Sequence, residues 1–186
     1  MGIARDELLE RIVVEVATNG LADRSMRELA AGVGSSHRML LYHFGSRDGL
    51  VAAIVAATEA AQRDALRELA TGTDSPADLV RGLWARVSAP ELRPFVRLFF
   101  ETLATQARTP GAATDPTADW LDTVHDLGEG VGSGSDDTDT RLGIAVMRGL
   151  LVDVLATGDV DAATAALERY LELAEPRRAA TARGAR

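Results

Sequence analysis

Apolar residues recur at three- and four-residue spacing along almost the whole chain, and no segment sustains the alternation that a half-buried strand requires. The pattern predicts an all-α protein of about nine helices. Leu9, Ile12, Val13 and Val16 make one face of a first helix, which Asn19-Gly20 stops. Ser25-Met26-Arg27-Glu28 has the form of a capping box, in which the serine oxygen accepts an early amide and the glutamate reaches back to the cap amide. A short second helix starts there and ends at Gly32-Val33-Gly34. Ser35-Ser36 can cap a third helix reaching about Phe44, and Gly45-Ser46 breaks the chain again. Ser46 caps a long fourth helix whose first apolar face is Leu50, Val51, Ile54 and Val55 and which runs to about Ala70.

Further on, Ser75-Pro76 and Asp115-Pro116 each set a capping residue before a proline suited to the first helical position. Leu79, Leu83, Trp84 and Val87 line the first of these helices; Trp120, Leu121 and Val124 line the second. Residues 95–103 are apolar on nearly every side, as in a helix ringed by others, and Pro94 either starts or kinks that helix. Residues 128–137, rich in Gly, Ser and Asp, read as a loop before two closing helices at 138–157 and 160–174. Pro176 is expected to stop the last helix and leave a disordered tail. The domain reading is therefore 1–46 as a three-helix head, 47–175 as a larger helical body and 176–186 as tail.

Composition narrows the class. With no cysteine, a disulfide framework and a cysteine zinc site are excluded, and the count fits a reducing compartment. The first ten residues carry charge where a secretory signal would be basic and then apolar, so the cytoplasm is the expected location. The richest apolar stretch, 142–156, is interrupted by Arg148 and Asp153, so no membrane association is expected. The net charge of −8 argues against nonspecific coating of nucleic acid, but residues 1–50 hold 6 Arg against 7 acidic groups, so the acidity belongs to the body. His37 and His43 lie on different helical faces and His125 stands alone, which gives no metal cluster. No nucleophile with a nearby base and no phosphate-cradling glycine loop is visible, so neither an enzyme nor a cofactor is expected.

The chemistry concentrates in residues 25–44. A DNA-reading helix-turn-helix needs a small residue where its helices cross, a glycine in the turn and a second helix with a polar face for the major groove. Ala30 and Gly34 meet the first two needs, while Leu29, Val33 and Leu40 lock the pair together. The exposed face then carries Ser36, His37, Arg38 and Tyr42, of which arginine can pair with guanine and the others with bases or phosphate oxygens.

Ser25-Met26-Arg27-Glu28-Leu29-Ala30, then Gly34, then Tyr42-His43-Phe44-Gly45-Ser46-Arg47-Asp48-Gly49-Leu50 resembles the tetracycline-repressor (TetR) family over about residues 5–55. The resemblance implies a homodimer whose last two helices, 138–157 and 160–174, pair with their counterparts, and middle helices that enclose a small-molecule effector. It also implies phosphate contacts from Ser25, Arg27, His43 and Arg47 and positions nearest the bases at Ser36, His37, Arg38 and Met39. Two positions depart from the family's habit: Ser35 stands where valine is common and Leu41 where tyrosine is common. Tyr42 lies about 100 degrees further round the helix.

Trp84, Phe95, Phe99, Leu103, Trp120, Val124 and Arg148 are the candidate pocket residues, although aromatics at helical spacing serve packing as well. Arg148 would face either an acidic effector or a structural carboxylate such as Glu101. An aspartate at Leu167 or Leu171 is expected to break the dimer. The function expected is a repressor of double-stranded operator DNA, released from a pseudo-palindromic site by a small hydrophobic or aromatic ligand. An activator with the same head, a small helical enzyme and an interaction module are the alternatives.

Overall fold

A computed structural model of the chain describes residues 5–21, 24–73, 75–107, 115, 117–127 and 136–184, with side chains throughout except at 105–107 and 175–184. The described residues form helices and no strand. In chain order these are α1 (Arg5–Asn19), α2 (Met26–Gly32), α3 (His37–Phe44), α4 (Arg47–Ala70), α5 (Pro76–Val87), a 3-10 turn at Pro90–Leu92, α6 (Arg93–Ala107), α7 (Ala118–Leu127), α8 (Asp137–Thr157) and α9 (Val160–Gly184). They divide into two compact units, Met1–Ala61 with Pro90–Ala112, and Gln62–Ala89 with Ala113–Arg186. No helix among the described residues is long and apolar enough to cross a membrane.

In the first unit, Leu8, Ile12 and Val16 of α1 recur at one-turn intervals and bury one stripe of that helix. Leu29, Ala30, Val33 and Leu40 of the α2–α3 pair close on it, with Leu50 and Ile54 from α4. Phe95 and Leu98 of α6 complete this core. The second unit is built around Leu79, Leu83, Trp84 and Val87 of α5 with Ala163, Leu167 and Leu171 of α9, joined by Leu66, Trp120 and Val154. The continuous helix α4 thus supplies core residues to both units.

The caps lie where the sequence puts them. Ser25 accepts from the Glu28 amide and its own amide donates to the Glu28 carboxylate, the full capping box. Ser36, Ser46 and Ser75 accept the amides of Met39, Gly49 and Asp78. Asp115 accepts from the amides of Thr117 and Ala118 ahead of α7, and these bonds hold its carboxyl below the usual range. Asp136 caps α8 one residue earlier than the pattern suggested.

One open alternative is resolved and two expectations need correction. Pro94 is the second residue of α6, where its missing N–H belongs to the unpaired first turn, so it starts the helix and does not kink it. Nor is every side of α6 covered: Phe95 and Leu98 are buried, but Arg97 and Glu101, one turn apart, are exposed. The last helix runs through Pro176 to Gly184, so the proline, although it removes a ladder bond and crowds the carbonyl one turn back, does not stop it. Of the 128–137 loop, all but Asp136 and Asp137 lies outside the described residues.

Candidate nucleic-acid interface

The turn between α2 and α3 is fixed by backbone bonds. The Ser35 amide donates to Ala30 O at 2.8 Å and the Gly34 amide to Ala31 O at 3.1 Å. Gly34 sits at φ +62, a conformation side chains resist, so glycine is what lets the chain reverse here. The Arg11 guanidinium of α1 donates to Val33 O and ties the same turn to the first helix. Leu40 and Phe44 then anchor α3 through its inner face.

Opposite that anchor, Ser36, Arg38, Leu41 and Tyr42 are exposed, Tyr42 at 79%. His37 and Met39 are half-buried at the start of the helix. Six of the nine candidate DNA-contacting residues, Ser25, Arg27, Ser36, Arg38, Tyr42 and Arg47, are therefore open to solvent. His43 is half-buried, edge-on to the Tyr42 and Phe44 rings at 5.0 and 6.2 Å, and its Nε2 has no hydrogen-bond partner. Leu41, not among the residues expected to touch DNA, is 38% exposed beside Tyr42 and offers the apolar contact a thymine methyl takes.

Arg47 has a structural task as well. Its guanidinium donates to Arg24 O at 2.5 Å and to Leu21 O at 3.4 Å, clamping the start of α4 to the loop between α1 and α2. Arg24 in turn pairs with Glu15 of α1 at 2.7 Å. The hydrogen bond from Arg24 holds the Glu15 carboxyl below its ordinary pKa, and the Ser25 amide and hydroxyl do the same for Glu28. Arg5 lies over the Phe44 ring, 5.4 Å from its centroid. These arginines join positions between 9 and 39 residues apart, a separation no local motif records.

The candidate pocket residues are divided between the two units. Trp84 and Trp120 are buried in the second unit's core with Val124 packed against them, and the Trp84 indole donates to Thr164 of α9 at 2.8 Å. Arg148, half-buried in the same unit, donates to the Thr117 hydroxyl at 2.8 Å, and its charge helps keep Asp115 ionised. Phe95 belongs to the first unit's core, while Phe99, edge-on to Phe100, and Leu103 are half-buried on the same helix. Leu167 and Leu171 are each 1% exposed and face that second core, so an aspartate there would unfold the unit and report nothing about a dimer.

No family model matches the chain, and no curated protein matches it. Solved structures do. A TetR-family transcriptional regulator from Pectobacterium atrosepticum superposes with a TM-score of 0.73 at 22% identity, over 91% of this chain and 90% of that one. The multidrug-binding protein EbrR, solved with imidazole, gives 0.62 at 23% identity over 91% and 95%. A protein solved in a study of the control of antibiotic production by bacterial hormones gives 0.62 at 21% identity over 93% and 94%. The chain has the fold of TetR-family regulators.

Proposed function

We propose, from this fold and from the exposed polar face of α3, that the chain is a DNA-binding transcriptional regulator. The observation that carries the reading is that Ser36, Arg38 and Tyr42 project from a helix pinned by Leu40 and Phe44 and aimed by the Ala30–Gly34 turn. Such a helix presents its polar edge to a major groove, with phosphate contacts setting register and base contacts setting sequence. In this reading two copies pair through α8 and α9, place two α3 helices in successive grooves of a pseudo-palindromic operator, and act as a repressor.

The finer part of the proposal is release by a small apolar molecule. The apolar cluster of Trp84, Trp120 and Val124 in the second unit supports the apolar character, and EbrR, of the same fold, was solved in complex with a small molecule, imidazole. The deciding experiment is to select DNA fragments with the purified protein and sequence them. Enrichment of an inverted repeat whose affinity falls steeply with salt supports the reading. Recovery of unselected sequence, or affinity indifferent to salt, refutes it.

A further inference from the structure

The first unit contains a cleft of about 700 Å³, within the size range of small-molecule sites. One wall is α6, which contributes Arg93, Arg97, Leu98 and Thr102 from two adjacent rows of the helix. Those rows run about 13 Å along its axis. Facing them are Leu21 after α1 and Arg47, Val51 and Ala52 of α4. Leu21, Val51, Ala52 and Leu98 give the cleft an apolar surface, and Arg93, Arg97, Glu101 and Thr102 add polar groups along the α6 wall.

Two of those polar groups lack partners. Arg93 Nε and Thr102 Oγ1 are both shut off from solvent and neither makes a hydrogen bond. A buried donor left unpaired costs stability, so its presence in a cleft points to an acceptor that comes from outside the chain. Arginine remains charged under all ordinary conditions, and the acceptor that suits it is an anionic oxygen. The charges among the described residues define the anion further: three guanidiniums, Arg47, Arg93 and Arg97, line the cleft with two exposed carboxylates, Asp48 and Glu101. The surplus of one positive charge suits a single negative charge and disfavours two.

We infer that this cleft is a binding site for a small amphipathic monoanion, a carboxylate on an apolar body, with its head at Arg93 and its body against Leu21, Val51 and Leu98. The site lies within the unit that carries α3, and none of its lining residues belongs to the Trp84 and Trp120 cluster. It shares Arg47 with the proposed DNA interface. That part alone rests on the proposed function: an occupant that draws on Arg47 weakens DNA, and DNA weakens the occupant by the same factor.

Octanoate, octanol and acetate serve as probes, presenting body with charge, body alone and charge alone. Calorimetric titration of the full chain is expected to show octanoate binding once per chain, at least about tenfold tighter than either of the others. Arg93→Gln should remove that advantage while leaving octanol unchanged, and Ala52→Trp, which fills the cleft from one wall, should abolish binding, both variants melting as the parent does. Backbone amide shifts at Ala52, Leu98 and Thr102 on adding octanoate check the location without any substitution. Octanoate binding no tighter than octanol, or shifts confined to the second unit, overturns the assignment. Because these titrations contain no DNA, they are independent of whether α3 reads an operator. With the selected operator present, octanoate should weaken DNA binding by the parent but not by Ala52→Trp; equal operator affinity with and without octanoate defeats the coupling.

Discussion

Arg38 and Arg47 are both exposed arginines in or next to α3, and the proposed reading gives them different work. Arg38 is exposed on the outer face of α3 and is bonded to no other residue among those described, so in the proposed reading its guanidinium is available to a guanine edge. Arg38→Ala is therefore expected to relax specificity at one base position and to cost about 1 to 3 kcal/mol per half-site. Equal weakening on every DNA sequence would contradict that role. Arg47 already spends two N–H groups on Arg24 O and Leu21 O, so Arg47→Ala should do two things. It should flatten the salt dependence of DNA binding by about one unit per subunit, as a lost phosphate contact does. It should also lower the melting temperature, because the α1–α2 loop loses its tie to α4. A melting curve identical to the parent's would show that the clamp contributes nothing, and an unchanged salt slope would take Arg47 out of the interface.

At the scale of elements, the head was legible because its signals are local. The capping box at Ser25–Glu28, the turn glycine at 34 and the serines before α3, α4 and α5 each act within four residues, and each is found where the pattern puts it. What could not be read was set by contacts distant in sequence: the Arg24–Glu15 pair, the Arg11 bond to Val33, and the cleft between α6 and α4. The aromatic run of α6 misled for a related reason, since periodicity shows that a face is apolar but not which neighbour covers it. Gly49 is a further case. A Cβ there would come within 2.1 Å of the Phe44 carbonyl oxygen, so the close approach of α4 to the end of α3 admits only glycine. Gly49→Ala should destabilise the fold by about 1 to 3 kcal/mol in a denaturant titration, and no loss would mean that α4 shifts freely. The Glu15–Arg24 tie between α1 and its following loop carries a pH signature. Its carboxyl is held below the ordinary 4.5, so its contribution is complete above that value and is lost as the pH falls through the lowered one. Thermal melts should therefore show stability dropping on acidification below pH 4.5, less steeply in Glu15→Gln; parallel pH profiles for the two proteins would rule the tie out as a source.

For the molecule as a whole, the question is what covers α8 and α9. Leu142, Ala145, Gly149, Val152 and Ala156 of α8 are all exposed and follow one another at alternating three- and four-residue steps, the spacing of a helix-packing seam. The inner side of the pair is already satisfied, since Val154, Ala163, Leu167 and Leu171 are in the second unit's core. On α9, Ala162, Ala166 and Leu173 add exposed apolar positions, Leu173 at 60%. Small residues at 145 and 149 let a second helix approach closely, and among the described residues a Cβ at Gly149 would meet nothing within 4 Å. A self-complementary seam of this kind is what a two-fold dimer buries. Val152→Asp is the informative substitution: at 47% exposure it leaves the core intact while setting like charges against each other across the two-fold axis. Sedimentation at micromolar concentration should find the parent dimeric and Val152→Asp monomeric, with unchanged helix content. A monomer holds only one half-site at a time and loses the effective-concentration gain of the second, so operator affinity should fall about 100-fold or more. A Val152→Asp protein that remains dimeric, or a monomer that binds operator as tightly as the parent, would place the pairing surface somewhere other than this seam.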